Sequence, residues 1–284
     1  MGRLGIFART FSEPTLEGVL DAIVSHNLDL VHFNLGCAGL ESLPEEIDAA
    51  VCQRVRHGFQ RRQLKMVALS GTYNMIDPDV ARREQMTRRA CRLIGRARDL
   101  GTHCITLCTG SRDPENMWQA HPDNDSPEAW REMVATLEKL LSSAEQHGVT
   151  LGIEPEKANV INSAVKARQL LDQLQSEQLK IVIDGANLFE PGDQKNRQEV
   201  LIEAFDLLAP EIIIAHAKDI VTDPTKHSQA AGTGTLDWST YFECMQKIGY
   251  DGPVVLHNLA PSQVDQSVRF VKGFLDPTYL SNRN

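Results

Sequence analysis

The chain has no apolar stretch near the roughly 20 residues that a membrane helix needs. Its first eleven residues also lack the apolar core and cleavage site of a secretion signal. A membrane-spanning or secreted protein is therefore not expected. Basic charge is scarce: 29 Lys and Arg stand against 38 Asp and Glu, for a formal net charge of −9. Such a surface repels polyphosphate and argues against a nucleic-acid or anionic-membrane partner. The six cysteines, Cys37, Cys52, Cys91, Cys104, Cys108 and Cys244, contain no Cys-x-x-Cys pair. Buried free thiols in a reducing cytoplasm are the expectation. The first apolar run is not followed by a glycine-rich turn, which removes the usual mark of a doubly wound nucleotide-binding sheet.

What the chain does have is one rhythm repeated from end to end. Apolar residues are 42% of 284, enough for a sizeable core. Eight β-branched, apolar runs alternate with helix-period segments: Leu4–Phe11, Leu30–Leu35, Lys65–Ser70, Cys104–Thr109, Thr150–Glu156, Leu179–Asp184, Ile212–Asp219 and Pro253–Leu259. In Val80–Leu100, Met86, Ala90, Leu93, Ala97 and Leu100 recur at spacings of three and four, which draws one apolar stripe along a helix. Gly101 and Gly148 fit left-handed helix ends, and Ser126-Pro127-Glu128 fits a helix start. Strict β-then-α alternation requires parallel strands joined by right-handed crossovers, and eight such units close into a barrel. The fold class is therefore α/β, a single (β/α)8 TIM barrel occupying residues 1–284 as one domain.

In such barrels the chemistry sits at the C-terminal ends of the strands. Four consecutive runs deliver a carboxylate or an imidazole there: Glu154, Asp184, His216 and His257. Parallel neighbours lie roughly 5 Å apart, so these groups can converge on one cation. Two carboxylates with two imidazoles suit Mn, Zn, Co or Fe better than Ca or Mg, because nitrogen ligands appear.

These residues, in order with Asn187, His216-Ala217-Lys218-Asp219 and Gly232-Thr233-Gly234-Thr235-Leu236-Asp237, resemble the sugar phosphate isomerase/epimerase family of xylose-isomerase-like TIM barrels. The resemblance implies that Glu154, Asp184 and His216 are metal ligands and that Glu154 moves a proton. At the end of the eighth run the family usually carries a fourth ligand, a Glu, and this chain has His257, read as ligand and acid/base group alike. The implied activity is a divalent-metal-dependent isomerase or epimerase on a small carbohydrate, a keto sugar or sugar phosphate, through an enediolate. The alternatives are a lyase that dehydrates a keto sugar or keto-inositol, and a sugar-binding barrel without turnover. The family's apurinic endonuclease branch fits poorly, since its basic DNA face is absent. Dimers or tetramers are implied by resemblance only.

Around the site, Lys218 points to the same side as His216, where it contacts substrate oxygens or forms a structural ion pair. Glu156 shares a face with Glu154 and is a second acid/base group or a binder of sugar hydroxyls. Asn187 is expected to hydrogen-bond the substrate or the ligands, and Asp219 to support the site or cap a helix. The long loop after the fourth run offers Arg112 for an anionic group and Trp118 for a sugar ring or as a loop anchor. His32 and Asn34 read as inward-facing barrel residues, and Tyr73 and Asn74 as pocket wall. The Gly232-Thr233-Gly234 segment offers backbone amides to a phosphate or is simply a turn.

Overall fold

The computed structural model describes residues 2–189, 196–221 and 229–276. Within them each of the eight apolar runs forms a parallel strand: β1 Leu4–Phe7, β2 Leu30–Phe33, β3 Lys65–Ser70, β4 Cys104–Leu107, β5 Thr150–Ile153, β6 Leu179–Asp184, β7 Ile212–Ala217 and β8 Val254–Leu256. β1 pairs with both β2 and β8, so the sheet closes in sequence order. The helices α1 Leu16–Ser25, α2 Ala49–Arg61, α3 Val80–Leu100, α4 Pro127–His147, α5 Ala164–Leu174, α6 Arg197–Leu208, α7 Trp238–Lys247 and α8 Val264–Leu275 follow the strands in turn. The barrel expected from the alternation is the barrel observed. No helix among the described residues is long and apolar enough to cross a membrane. All six cysteines are free, and Cys52, Cys104, Cys108 and Cys244 are buried. The polar tail from Pro277 onward lies outside the described residues.

Local chemistry explains the element ends. α3 covers Val80–Leu100 and stops at Gly101, whose φ of 109° is a left-handed conformation that side chains disfavour. Ser126 starts α4 by accepting the Ala129 amide, with Pro127 at the first helical position. The apolar stripe on α3 buries Ala90, Leu93, Ala97 and Leu100 against the sheet.

Side-chain alternation along the strands builds the site. Ala68, Cys104, Val182, Ile214 and Val255 form a small apolar cluster that fills the barrel interior. Two residues further along β6 and β7, and just past β8, the same inward face carries Asp184, His216 and His257. The interior thus changes from apolar to ionisable within one side-chain layer. Asp184 and His216 are direct register partners, so β6 and β7 hold them side by side. Truncating a plug residue such as Ile214 to Ala would cost about 2–5 kcal/mol and loosen the floor on which the polar layer rests.

Candidate active site and metal centre

The mouth of the barrel encloses a cavity of about 1410 Å³, lined among others by Glu154, Glu156, Asn187, Lys218 and His257. Asp184, His216 and His257 offer ligand atoms that all lie within 4.8 Å of one another. Among the described residues each also has a buried polar atom without a hydrogen-bond partner: Asp184 Oδ2, His216 Nε2 and His257 Nδ1. The ring planes of His216 and His257 stack at a centroid distance of 4.6 Å.

Glu154 stands beside this group. Its Oε1 accepts a hydrogen bond from Asn187 Nδ2 at 2.6 Å and lies 3.2 Å from His216 Nδ1. With Nδ1 engaged by the carboxylate, Nε2 is the His216 nitrogen left for a ligand. Lys218 donates to Asn187 Oδ1 and lies 3.4 Å from Asp184 Oδ2, an ion-pair contact that is not a hydrogen bond. Asn187 therefore bridges Glu154 and Lys218. Lys218 both pairs with Asp184 and lines the cavity.

The electrostatics test whether these residues suit a cation. Burial pushes the Glu154 carboxyl up, and His216, then Lys218 and Asn187, more than reverse this and hold it down. Asp184 goes up, because burial and the Glu154 charge outweigh Lys218 and His216. Burial drives His257 well below the ordinary histidine range, followed by the charge of His216. It is therefore a neutral imidazole with a lone pair to give. Glu156 is pushed up to about 7 by burial, against the pull of Lys218 and with added repulsion from Glu154 and Asp184. Burial pushes the His216 imidazole down, but the charges of Glu154 and Asp184 more than reverse this and hold it above the ordinary histidine value. A divalent ion among these buried acids and imidazoles would supply the same compensation. The residues present thus fit such an ion.

The loop after β4 brings Asn116, Met117, Trp118, Gln119 and Ala120 to the cavity. Trp118 is 52% exposed there. The anchoring is done by amides: Asn74 Nδ2 donates to Ser111 O at 2.7 Å, Asn124 Nδ2 to Ala158 O at 2.9 Å and Asn159 Nδ2 to Met117 O at 3.1 Å. Arg112, expected to take an anion, does not line the cavity. Its guanidinium donates to Ile76 O and pairs with Glu132 of α4 at 2.9 Å. Tyr73 is likewise turned away from the cavity and bonded to Thr87.

The Gly232-Thr233-Gly234 segment is a turn around a carboxylate. Asp219 accepts from the amides of Ile220, Gly232 and Leu236 and from Trp238 Nε1, at 2.8–3.0 Å. The Gly232 amide that a phosphate would need is spent on Asp219, so the support role fits this residue. A Cβ on Gly234 would fall 2.5 Å from Ile220 O, which explains the glycine there.

The sequence reading passed over some wall residues. Phe7, at the end of β1, stacks on His257 at 4.9 Å. Asn258 lines the cavity with a φ of 57°. Both sit at strand ends, so their position was the available signal. Their apolar or amide chemistry gave none.

The chain belongs to the xylose isomerase-like TIM barrel family, whose sequence model matches residues 20–273. Over 133 residues it is 28% identical to a ketose 3-epimerase from Arthrobacter globiformis, a match that spans 46% of this chain and 42% of that protein. Its fold is similar to that of a D-tagatose 3-epimerase-like protein, with a TM-score of 0.76, 17% identity and 99% and 100% of the two chains covered. It is also similar to the IOLI protein solved with a zinc atom, with a TM-score of 0.73, 16% identity and 98% of each chain covered.

Proposed function

We propose that the protein is a divalent-metal-dependent isomerase or epimerase acting on a small keto sugar through an enediolate. The observation that carries this reading is the convergence of Asp184, His216 and His257, each with a buried polar atom left unpaired. With Glu154 beside them, these residues would hold the ion. The mixed nitrogen and oxygen donor set suits Zn, Mn, Co or Fe, and the zinc atom in one fold neighbour agrees with it. When bound, the ion supplies Lewis-acid polarisation of a substrate oxygen.

The chain's own groups do the rest. Glu154, kept ionised by His216 and Asn187, takes the proton from the carbon next to the carbonyl, which leaves an enediolate. Lys218, held by Asn187, places positive charge near the oxygen that becomes anionic. Return of the proton to the neighbouring carbon isomerises the sugar; epimerisation needs a proton delivered to the opposite face by a second group, a role for which Glu156 lines the same cavity. Glu156, Asn187 and Trp118 line the same cavity and meet hydroxyls and the sugar's apolar face. The partly matched ketose 3-epimerase supports this substrate class.

One observation favours a second reading. His257, an imidazole, stands at the end of β8 where the resembled family uses a second carboxylate. A single base with an ion also suits a lyase that expels a β-hydroxyl as water. Incubating a keto-sugar panel in deuterated water separates the two. The isomerase reading expects deuterium next to the carbonyl in a product of otherwise unchanged mass, lost in Glu154→Gln. A product lighter by one water assigns the lyase, and binding without exchange contradicts both.

A further inference from the structure

His32 reaches the cavity from β2 and belongs to none of the groups assigned above. The residue is 3% exposed. Its Nε2 lies 2.8 Å from Thr106 Oγ1, and its Nδ1 is buried with no hydrogen-bond partner among the described residues. The ring is packed between Phe7, at a centroid distance of 4.6 Å, and His216, at 5.6 Å. A purely structural histidine in such a place satisfies both nitrogens, because a buried polar atom left unpaired costs free energy. The three unpaired atoms on Asp184, His216 and His257 are accounted for by an ion. The fourth is not, since His32 lies outside that convergent group and its ring centre is 6.4 Å from that of His257.

Thr106 engages one of the two ring nitrogens. Its hydroxyl makes no hydrogen bond among the described residues other than the one to His32. With the Thr106 O–H donating to Nε2, the single hydrogen of the neutral imidazole sits on Nδ1. A cavity-lining residue thus holds an N–H donor fixed by packing on one side and by a hydroxyl on the other. Such a donor is preorganised for an oxygen that gains charge during reaction.

We propose that His32 is a substrate-contacting residue whose Nδ1–H donates to the carbonyl or neighbouring hydroxyl oxygen of the bound keto sugar, across the barrel from Asp184. This rests on the sugar-isomerase reading of the site and adds the group that holds the reacting oxygen from the β2 side. It also makes the position specificity-determining: a polyol without an oxygen there leaves a buried donor unpaired.

Two substitutions separate the donor from the ring. His32→Phe keeps an aromatic against Phe7 and His216 and removes the donor. His32→Asn removes the ring and keeps an amide N–H near the place of Nδ1. Metal content, thermal midpoint and kcat/KM on the best sugar of the panel are measured for wild type and both variants. The expected result is unchanged metal content, a drop of about 100-fold in kcat/KM for His32→Phe and recovery to within about tenfold of wild type for His32→Asn. His32→Phe within about twofold of wild type overturns the proposal and leaves the isomerase reading intact. Loss of metal in His32→Phe, or His32→Asn no better than His32→Phe, also overturns it, by making the residue a structural support. A wild type that neither binds nor converts any sugar overturns the reading of the site and this proposal together.

Discussion

The amide of Asn187 donates to Glu154 Oε1 at 2.6 Å, while its own oxygen accepts from Lys218. One neutral side chain thereby holds the candidate base and the candidate oxyanion partner in fixed register. Asn187→Leu breaks both bonds and leaves a buried ammonium and a buried carboxylate under-satisfied. Hydrogen bonds to charged groups contribute about 1.5–3 kcal/mol, so kcat/KM should fall by roughly 10- to 100-fold. Steady-state kinetics on the active sugar, with circular dichroism to confirm the fold, check this. An unchanged kcat/KM would mean that the bridge positions nothing.

His257 is half-buried, its imidazole is held well below the ordinary histidine range by burial, and its buried Nδ1 is unpaired among the described residues. His257→Ala should weaken metal binding by at least about 100-fold, beyond the 10- to 100-fold typical of groups that only support a ligand. His257→Glu restores a charged oxygen ligand and should retain the ion. Titration of the metal-stripped protein with Zn and Mn measures both affinities. Tight binding retained in His257→Ala would make His257 an acid/base group rather than a ligand.

Asp219 collects three donors from the segment between β7 and α7 and a fourth from Trp238 at the start of α7. Asp219→Ala strands several buried N–H groups at once, so a loss of about 2–4 kcal/mol is expected. Urea denaturation at pH 7 reads it as a lower midpoint. A midpoint equal to wild type would show that the loop finds other partners.

Arg112 serves the fold. Burial pushes the Glu132 carboxyl up, and Arg112 and Arg83 more than reverse it, so its folded value lies below the ordinary one of 4.5. A lowered carboxylate contributes stability above its unfolded value, and that stability is lost as pH falls through the folded value. With the Glu132 side chain 40% exposed, solvent screening limits the effect to about 0.5–1 kcal/mol. Arg112→Met should therefore be less stable than wild type by that amount at pH 7. The gap should close below about pH 4, with KM for a sugar unchanged. A raised KM with unchanged stability would return Arg112 to the substrate.

Much of this architecture was legible in the sequence, because apolar periodicity is a local signal. Leu179–Asp184 is both the apolar run and β6, and Val80–Leu100 is both the stripe and α3. Other runs overshoot at their C-terminal ends: Thr150–Glu156 shrinks to a strand ending at Ile153, and Ile212–Asp219 to one ending at Ala217. The overshoot has a physical cause. Glu154, Glu156 and Lys218 continue the inward-facing alternation after the strand itself has ended, and composition alone does not show where that end falls. The long-range pairings were not legible. Nothing near Arg112 points to Glu132, nothing near Asp219 announces its four donors, and His32 looks like any barrel histidine until Thr106 is found beside it.

The central claim is that Asp184, His216 and His257, with Glu154, hold a divalent ion. The most direct test is metal content by inductively coupled plasma mass spectrometry, on protein purified without chelator, for wild type and His216→Ala. The account predicts about one Zn, Mn, Co or Fe per chain in wild type and its loss in the variant. A wild-type protein that carries no metal and takes none up on reconstitution, while remaining folded, would contradict it.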